Sequence, residues 1–255
     1  MTSLQKKILE EIKFSIIVAS FNSEETISRT IQSIKNQNYQ NVEVIFIDGG
    51  SEDNTVSIIN ALMPPNSIVV SEPDDGIGDA WNKGLKLSTG HLIGILNSDD
   101  YYASDIFSAI SADMGSIKHP VIGYGNVTLI DEASNSTRFV RGRLNEKIAL
   151  LNGFGFLHPS VFFNREALIS VGQFNSKISV AVDSDWLLRA LNHDIFFKKI
   201  SSHTYMKLGG HSDLFRYTGM GEYLDALVRN GYTEKHVMLF FMFRFLGHLA
   251  KLFSK

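Results

Sequence analysis

The stretch HLIGILNSDD, residues 91–100, joins an apolar run to two adjacent acids. The apolar residues up to Leu96 are typical of a buried strand, so the carboxylates of Asp99 and Asp100 are expected at the rim of a sheet. Two neighbouring carboxylates repel each other there unless a cation or a cationic ligand offsets their charge. Aspartate is also an ordinary turn residue, so this stretch alone predicts either a cation site or a simple turn.

Size and composition narrow the class of protein. The chain has 255 residues, 44% hydrophobic and 20% charged, which suffices for a substantial core in one large domain with or without a small appendage. A net charge of −3 and a pI near 6.2 argue against a general nucleic-acid-binding protein. The absence of cysteine excludes disulfides and thiolate metal sites. Residues 1–13 lack the apolar core of a signal peptide and no run reaches about 18 apolar residues, so we expect a soluble cytoplasmic protein.

Apolar runs and amphipathic stretches alternate in the first part of the chain. They predict strands at 14–19, 42–47, 67–70 and 92–96 and helices at 24–36, 53–63 and 80–87. This βαβαβαβ order predicts parallel strands with right-handed crossovers, and ligands of such sheets gather outside the carboxyl ends of the strands. Six polar residues follow predicted strands and are expected to meet at that edge: Ser20, Asn22, Asp48, Glu72, Asp99 and Asp100.

The pattern becomes less regular after Tyr101. It predicts strands at 121–130, 136–140 and 157–163, a short helix at 145–151 and a longer helix at 183–191. Because no repeat, low-complexity tract or proline-rich linker divides the chain, residues 1–212 are predicted to form one domain whose second half completes the site begun by the first. Residues 213–255 are predicted to be a C-terminal helical extension.

The loop DGGSEDN, residues 48–54, joins a predicted strand to a predicted helix. Its glycines allow a tight turn and the close approach of a ligand, and either Ser51 or Asp53 could cap the helix. Asp48 is not needed as a cap, so its carboxylate is predicted to accept a hydrogen bond from a nucleobase or a ribose. The loop is neither a G-x-G-x-x-G nor a Walker sequence, so dinucleotide and P-loop sites are not supported.

Seven segments of the chain form an ordered series: FSIIVASFN (14–22), VIFIDGGSEDNT (44–55), SEPDDGIGDAWNKG (71–84), GILNSDDY (94–101), HPSVFF (158–163), AVDSDWLLR (181–189) and GGHS (209–212). Together they resemble the family-2 glycosyltransferases. The resemblance implies an α/β fold of the GT-A type, a mixed nucleotide-binding sheet flanked by helices, with C-terminal amphipathic helices. It also implies inverting transfer of a sugar from a nucleoside diphosphate, usually with Mn²⁺ or Mg²⁺. It is nearest to the branch that builds bacterial surface polysaccharides such as O-antigen, and UDP-sugar is the default donor by family frequency.

The resemblance assigns roles at the acidic turn and at the first two strand ends. Asp99 occupies the place of the family's D-x-D motif and would hold the metal that bridges the donor's phosphates, with Asp100 supporting or sharing that role. Asn97 departs from the usual acidic first position, so it is expected to contact ribose or sugar. Asp48 resembles the nucleotide-binding acid. Ser20 and Asn22, at the end of the first predicted strand, are expected to contact the donor as well.

Residues 72–83 allow two interpretations. Asp79, Asn82 and Lys83 could simply form the solvated start of a helix. In the family this region lines the donor cleft. The resemblance then implies that Asp79 and Asn82 contact the nucleotide and that Lys83 compensates the charge of the diphosphate.

Two acids open the predicted helix at 183–191. Asp183 or Asp185 would serve as an N-cap or as a first-turn acid stabilised by the helix dipole. The family's general base falls on the position of Asp183, and inverting transfer needs one base to take the proton of the acceptor hydroxyl. Asp183 is therefore predicted to be the base, with Asp185 in reserve and Trp186 beside them at the acceptor.

Two histidines lie in matched segments, although a lone histidine is more often structural. His158 is predicted to orient the acceptor. His211, which follows two glycines, is predicted to reach the diphosphate or the metal.

The C-terminal tail has basic residues at helical spacing and no acid from 235 onward. Arg244, His248, Lys251 and Lys255 form a narrow basic stripe on an otherwise apolar helix. Such a helix could lie at the inner, anionic surface of the cell membrane, which would suit an acceptor carried on a polyprenyl lipid. Packing against the domain or against a second subunit in a homodimer is the equal alternative.

Three functions are compatible with these residues. A metal-dependent inverting glycosyltransferase is the leading hypothesis. A catalytically inactive sugar-nucleotide-binding or scaffolding protein is the alternative, although the joint presence of Asp99, Asp100 and Asp183 argues against it. A nucleotidyltransferase would share the metal and the nucleotide but release pyrophosphate.

Overall fold

The computed structural model describes residues 12–145 and 153–233, together with residues 235, 238, 239 and 242. Within this part of the chain, nine strands form one sheet and eight α-helices accompany it. The strands are β1 (Phe14–Ser20), β2 (Val42–Asp48), β3 (Ser67–Ser71), β4 (Leu92–Asn97), β5 (Tyr101–Tyr102), β6 (Val121–Asp131), β7 (Ser136–Val140), β8 (Val161–Asn164) and β9 (Phe196–Lys207). The helices are α1 (Ile27–Lys35), α2 (Thr55–Leu62), α3 (Ile77–Leu87), α4 (Ile106–Met114), α5 (Arg165–Val171), α6 (Val182–Leu191), α7 (His211–Leu214) and α8 (Arg216–Arg229).

The sheet is mixed, with the order β3-β2-β1-β4-β8-β6-β9-β5 and β7 paired to β6. The first four strands are parallel, as their alternation with helices predicts. Beyond them, β8 runs antiparallel to β4 and β6, whereas β9 is parallel to β6. The predicted α/β fold with a mixed sheet flanked by helices is confirmed.

The register of the parallel strands brings polar strand ends together. Ser20 lies opposite Asp48, and Asp48 lies opposite Ser71 at the next strand. On the other side of β1, Ala19 lies opposite Asn97. The carboxyl ends of four strands therefore meet at one edge of the sheet, where parallel α/β sheets bind ligands.

Two apolar layers cover the faces of the sheet. On one face, α1, α2 and α4 contribute Ile31, Ile59 and Phe107 to a cluster with β1, β2 and β4. On the other, α3, α5, α6 and α8 form the second layer. Strand β1 contributes to both layers, with Phe14 in the first and Ile17 in the second, because successive side chains of a strand point to opposite faces of the sheet.

Helix α8 belongs to this second layer although it lies beyond the boundary expected at residue 212. Its Tyr223, Ala226 and Leu227 are buried together with Val182 and Leu187 of α6. Residues 216–229 thus share an apolar layer with the preceding chain, and the domain boundary at 212 stays a prediction.

Several predicted elements differ from those observed. The strand predicted at 157–163 begins with a 3₁₀ turn at His158–Ser160, and only Val161–Asn164 pairs in the sheet. Pro159 explains the difference, since it has no N–H to donate to a ladder and is favoured at the first turn of a helix. The sequence reasoning missed β5, the helices α4 and α5, and the long strand β9. Most of the helix predicted at 145–151, and the basic stripe from Arg244 to Lys255, lie outside the described residues.

No helix within the described ranges is long and apolar enough to cross a membrane.

Glu43 is a buried acid of β2 that bonds to the neighbouring strand β1 and to the residues just before β1 and β4. Its Oε1 accepts hydrogen bonds from Ser15 Oγ at 2.5 Å and Thr89 N at 2.6 Å, and its Oε2 pairs with Lys13. Burial alone raises the pKa of Glu43, but the hydrogen bonds from Lys13, Ser15 and Thr89 outweigh it and hold the pKa at about 2, below the ordinary 4.5.

This depressed pKa predicts an acid-dependent loss of stability. Because the folded pKa lies below the unfolded one, the contribution of Glu43 is complete above pH 4.5 and disappears as the pH falls towards about 2. We expect Glu43→Gln to unfold at lower urea than the wild type at neutral pH, with a difference that shrinks between pH 4.5 and about 2. Urea titrations across this range measure it; a difference that stays constant with pH would contradict the assignment.

Candidate active site

A cleft of about 760 Å³ opens at the carboxyl ends of β1 and β4, within the roughly 300–1,000 Å³ typical of small-molecule sites. One wall consists of Ser20, Asn22 and the turn 97–100. The rest of the lining includes the loop 176–180, Asp183 and residues between 206 and 213, of which Gly210 lies beside Asp99. Of the predicted site residues, the cleft brings together Ser20, Asn22, Asn97, Asp99, Asp100, His158 and Asp183.

The acidic turn is fixed by buried hydrogen bonds. Ser98 N donates to Ala19 O at 3.1 Å, which continues the pairing of β4 with β1. Thr30 of α1 donates from its single hydroxyl towards two carbonyl oxygens, Ser98 O at 2.9 Å and Asp100 O at 2.7 Å. The backbone that presents the two carboxylates is therefore held by both the sheet and a helix.

The carboxylate of Asp100 is buried beside a second acid. The residue is 1% exposed, and its Oδ2 has no hydrogen-bond partner among the described residues. Burial raises the pKa of Asp100 well above its usual range, and the adjacent charge of Asp99 acts in the same direction. Burial also raises the pKa of Asp99, against the lowering effect of the positive charges of Lys207 and Arg29. Two adjacent carboxylates whose charged forms are disfavoured by burial and mutual repulsion suit a divalent cation, which would stabilise the charged form of each.

His158 lies between the acidic turn and the start of α6. Its Nε2 is 3.8 Å from Asp100 Oδ2, and its Nδ1 is 3.9 Å from Asp183 Oδ2. Burial lowers the pKa of His158, although the charges of Asp183 and Asp99 oppose that effect. The ring contacts Trp81, with centroids 5.5 Å apart, and its Nε2 is buried without a partner. The histidine thus lies between the acidic turn, with Asp99 and Asp100, and the separate acid Asp183.

Asp183 stands in the first turn of α6 with 29% of its side chain exposed to the cleft. Its Oδ1 accepts from Ser184 N at 2.7 Å and from Ser184 Oγ at 3.2 Å. Its Oδ2 faces His158 and makes no hydrogen bond within the described structure. One oxygen is therefore occupied locally, and the other is available to a ligand.

Asp48 has a different environment from the one expected. It is fully buried, and its carboxylate accepts five hydrogen bonds, from Ser20 Oγ, Ser71 Oγ, Gly50 N, Ser51 N and Ser51 Oγ. These hydrogen bonds fix the loop after β2. The predicted contact of Asp48 with a nucleobase or ribose stays a prediction. Ser51 binds Asp48 instead of capping α2.

A family model for glycosyl transferase family 2 matches residues 15–169, more than half of the chain. The chain belongs to glycosyl transferase family 2. It is an enzyme of the glycosyltransferase class, as the resemblance of the sequence implied. The matched region includes the acidic turn and His158, and it ends before Asp183 and the helices α6 and α8.

Relatives of this glycosyltransferase include curated proteins and solved structures. It is 28% identical over 207 residues to a PGL/p-HBAD biosynthesis glycosyltransferase of Mycobacterium bovis, covering 78% of this chain and 79% of that protein. The crystal structure of S. aureus TarS 1-349 in complex with UDP-GlcNAc superposes with a TM-score of 0.63 at 20% identity, covering 88% of this chain and 69% of that one. In the crystal structure of a longer TarS chain, the region similar to this protein covers 41% of the length.

A third similar protein is the mannosyltransferase PcManGT from Pyrobaculum calidifontis in complex with GDP-Man and Mn²⁺. It superposes with a TM-score of 0.60 at 16% identity. The superposed region covers 86% of this chain and 64% of that one. At these identities the superpositions establish the fold, which is the predicted GT-A type.

The residues expected at the donor from the start of α3 are turned away from the cleft. Asn82 is buried and bridges to Phe174, donating from Nδ2 to its carbonyl and accepting from its N–H, both at 2.9 Å. Lys83 pairs with Glu72 at 2.9 Å and with Asp79 at 3.3 Å. None of Asp79, Asn82 and Lys83 lines the cleft in this structure, and their predicted contact with the nucleotide stays a prediction.

Asp185 and Trp186 are also part of the interior. Asp185 is 2% exposed and binds Arg189 Nε at 3.1 Å and Arg229 NH2 at 3.0 Å, so its carboxylate is held by two arginines away from the cleft lining. Its predicted role as the reserve base stays a prediction. Trp186 is 2% exposed, and its indole N–H donates to Gly172 O at 2.8 Å. Trp186 borders a small apolar cavity of about 20 Å³ that Asp183 and His158 also line, and it does not line the cleft. Its predicted contact with the acceptor stays a prediction.

His211 begins α7, and its side chain lies outside the described residues. Its predicted contact with diphosphate or metal therefore stays a prediction.

The sequence reasoning missed other residues around the cleft. Phe21 lines the cleft and is 61% exposed. Its position as an apolar residue directly after a buried strand was the available sequence signal. Lys207 lines the cleft and pairs with Glu132 at 2.6 Å, and Arg29 lies over the ring of Tyr101 at 4.6 Å. Glu222 of α8 binds the loop at 179–181, a contact with no local sequence signal.

Proposed function

We propose that this protein is an inverting glycosyltransferase that moves a sugar from a nucleoside diphosphate sugar to a hydroxyl of a glycan or lipid-linked acceptor. One observation carries the proposal: Asp99, Asp100 and Asp183 line one cleft, and His158 lies within 4 Å of acids from both groups. Two acids for a cation and one separate acid for a base are what metal-assisted inverting transfer requires.

The residues present fit a divalent metal, Mn²⁺ or Mg²⁺. The support is the unpartnered, buried Oδ2 of Asp100 beside the carboxylate of Asp99. Within the described residues, no group of three or more histidines and acids forms a complete protein site. Mg²⁺ commonly binds through one or two carboxylates and completes its shell with substrate phosphates. Asp99 and Asp100 would hold the ion, which when bound would offset the negative charge of the departing diphosphate.

Asp183 performs the proton transfer in this proposal. Its free Oδ2 accepts the proton of the acceptor hydroxyl as that oxygen attacks the anomeric carbon on the side opposite the diphosphate. The bond between the anomeric carbon and the bridging oxygen of the diphosphate breaks, and its electron pair leaves on that oxygen with the nucleoside diphosphate. A single displacement of this kind inverts the anomeric configuration.

The donor is assigned to the wall formed by β1 and the acidic turn. Phe21 offers an exposed ring on which a nucleobase can stack. Ser20, Asn22 and Asn97 supply polar groups to the same wall, and Asn97 Oδ1 is buried without a hydrogen-bond partner in the described part of the chain. UDP-sugar is the first choice of donor, in keeping with the UDP-GlcNAc bound by the similar TarS structure.

The acceptor is assigned to the acceptor wall, the part of the cleft that the loop 176–180 and Asp183 line, with His158 orienting its hydroxyl. Leu214 and Tyr217, exposed to 76% and 81%, follow the cleft residue Asp213 and would suit the apolar part of a polyprenyl-linked acceptor. We therefore place the enzyme in the cytoplasm, peripheral at the inner face of the cell membrane, in surface polysaccharide assembly of the O-antigen type. Flotation with anionic liposomes tests this location. Protein that fails to float, or that forms a homodimer through these side chains, contradicts it.

The products of the reaction test the proposed function. The protein is incubated with Mn²⁺ and UDP-glucose, UDP-N-acetylglucosamine, GDP-mannose or dTDP-rhamnose, and released phosphates are separated by chromatography. We expect a nucleoside diphosphate and, by proton NMR, a sugar of inverted anomeric configuration. Pyrophosphate would indicate a nucleotidyltransferase, and folded protein that binds a donor without turnover would indicate an inactive binding protein.

A further inference from the structure

Glu222 of α8 binds the chain immediately before Asp183. Its Oε1 accepts from Ser179 N and Ser179 Oγ, both at 2.8 Å. Its Oε2 accepts from Val180 N at 2.8 Å and from Ala181 N at 2.9 Å. One carboxylate therefore holds three consecutive backbone N–H groups and a hydroxyl. These bonds outweigh the effect of burial and lower the pKa of Glu222, so it is charged at neutral pH.

Helix α8 also binds the chain immediately after Asp183. Arg229, at the last turn of α8, donates to the buried carboxylate of Asp185 at 3.0 Å. Nearer the start of α8, a Cβ built on Gly219 would lie only 2.7 Å from Val180 Cγ1, so the helix backbone approaches the loop without space between them. The backbone on both sides of Asp183 is thus attached to one helix.

The attached loop is itself a wall of the cleft. Residues 176–180 line it, and Ala181 is the residue from which α6 starts. Ala181 makes no side-chain cap, and its carbonyl accepts the N–H of Asp185 at 2.9 Å. A displacement of 179–181 therefore moves the first turn of α6, and Asp183 with it.

We propose that Glu222 is a positioning residue, which sets Asp183 and the acceptor wall through the backbone of residues 179–181. The inference rests on the proposed function, because it gives Asp183 the role of the base. It extends that function to a helix that lies outside the matched family region. Glu222 touches neither substrate nor metal in this proposal.

Glu222→Gln tests the role, with Asp225→Asn as the matched control. Asp225 is exposed on the same helix, and its replacement by asparagine removes the same negative charge. Glutamine keeps one acceptor oxygen but turns an NH₂ group towards the donors of 179–181. We expect faster hydrogen–deuterium exchange of a peptide covering these amides, and a fall in kcat of about 10²-fold, since a misplacement of about 1 Å can cost that much. The KM for the nucleotide sugar that the wild type uses best is expected to stay within about twofold, because no residue of α8 lines the cleft and, in the described part of the chain, Glu222 binds only residues 179–181.

Gly219→Ala provides an independent probe, since it presses on Val180 and leaves Glu222 intact. It is expected to lower kcat in the same way at unchanged donor KM. If wild type turns over a donor and Glu222→Gln matches it in kcat, the inference fails while the proposed function stands. A parallel rise in donor KM would also overturn it, since that marks general distortion. If wild type turns over none of the four donors, the proposed function fails and the inference with it.

Discussion

Asp183→Asn is expected to lower glycosyl transfer by about 10³-fold while leaving donor binding intact, because general bases contribute about 10²–10⁴-fold to a rate. Asparagine has nearly the shape of aspartate and can still accept from Ser184 N, the contact that Asp183 makes at 2.7 Å. It cannot take a proton from the acceptor hydroxyl. The fall should therefore appear in kcat, measured as release of nucleoside diphosphate, with little change in the affinity for the nucleotide.

The control for this variant is Asp194→Asn, an equal change at an exposed acid outside the cleft. It should retain wild-type turnover. Because Asp183 is partly exposed and has only local hydrogen bonds, both variants should melt within a few degrees of the wild type. Turnover of Asp183→Asn within threefold of wild type would show that the base is another group.

Asp185→Asn is expected to have the opposite profile, with a large loss of stability. The side chain is 3% exposed and binds two arginines, so the substitution leaves Arg189 and Arg229 without their carboxylate. Removal of one partner from a buried pair costs about 3–5 kcal/mol. Because the two arginine side chains are 26% and 46% exposed, water compensates part of the loss, and we expect about 2–3 kcal/mol.

A fall in melting temperature of roughly 5–10 °C corresponds to this change in a protein of this size. Differential scanning calorimetry at neutral pH measures it. Residual kcat per folded molecule at 20 °C should exceed that of Asp183→Asn by at least about tenfold, since Asp185 does not face the cleft. An Asp185→Asn protein as stable as wild type but inactive would reverse the roles assigned to the two acids.

The sequence predicted the parallel half of the fold well because local patterns determine it. Apolar runs separated by amphipathic helices are sufficient to define β1 to β4, and the strand ends then meet by geometry. The position of Asp99 and Asp100 at the rim follows from the same rule. The strand β9 was missed because residues 196–207 combine basic, polar and apolar side chains without a regular period.

The contacts of several predicted site residues come from parts of the chain that are distant in sequence. Asn82 binds Phe174, 92 positions away, and Asp185 binds Arg229, 44 positions away. Asp48 illustrates the same limit, since a strand-end acid can face a ligand or accept hydrogen bonds from the protein, here three from its own loop and two from the ends of β1 and β3. The spacing of residues in a sequence does not distinguish these outcomes.

The most direct test of the account is isothermal titration calorimetry of the wild-type protein with UDP, GDP, dTDP and CMP, each in Mn²⁺ and in EDTA, repeated with Asp99→Asn. The account predicts that one base is preferred, that Mn²⁺ strengthens its binding at least tenfold, and that Asp99→Asn loses this gain but keeps the weak binding seen in EDTA. Equal affinity with and without metal, or no binding by folded protein, would contradict it and leave Asp99 and Asp100 as residues of a turn.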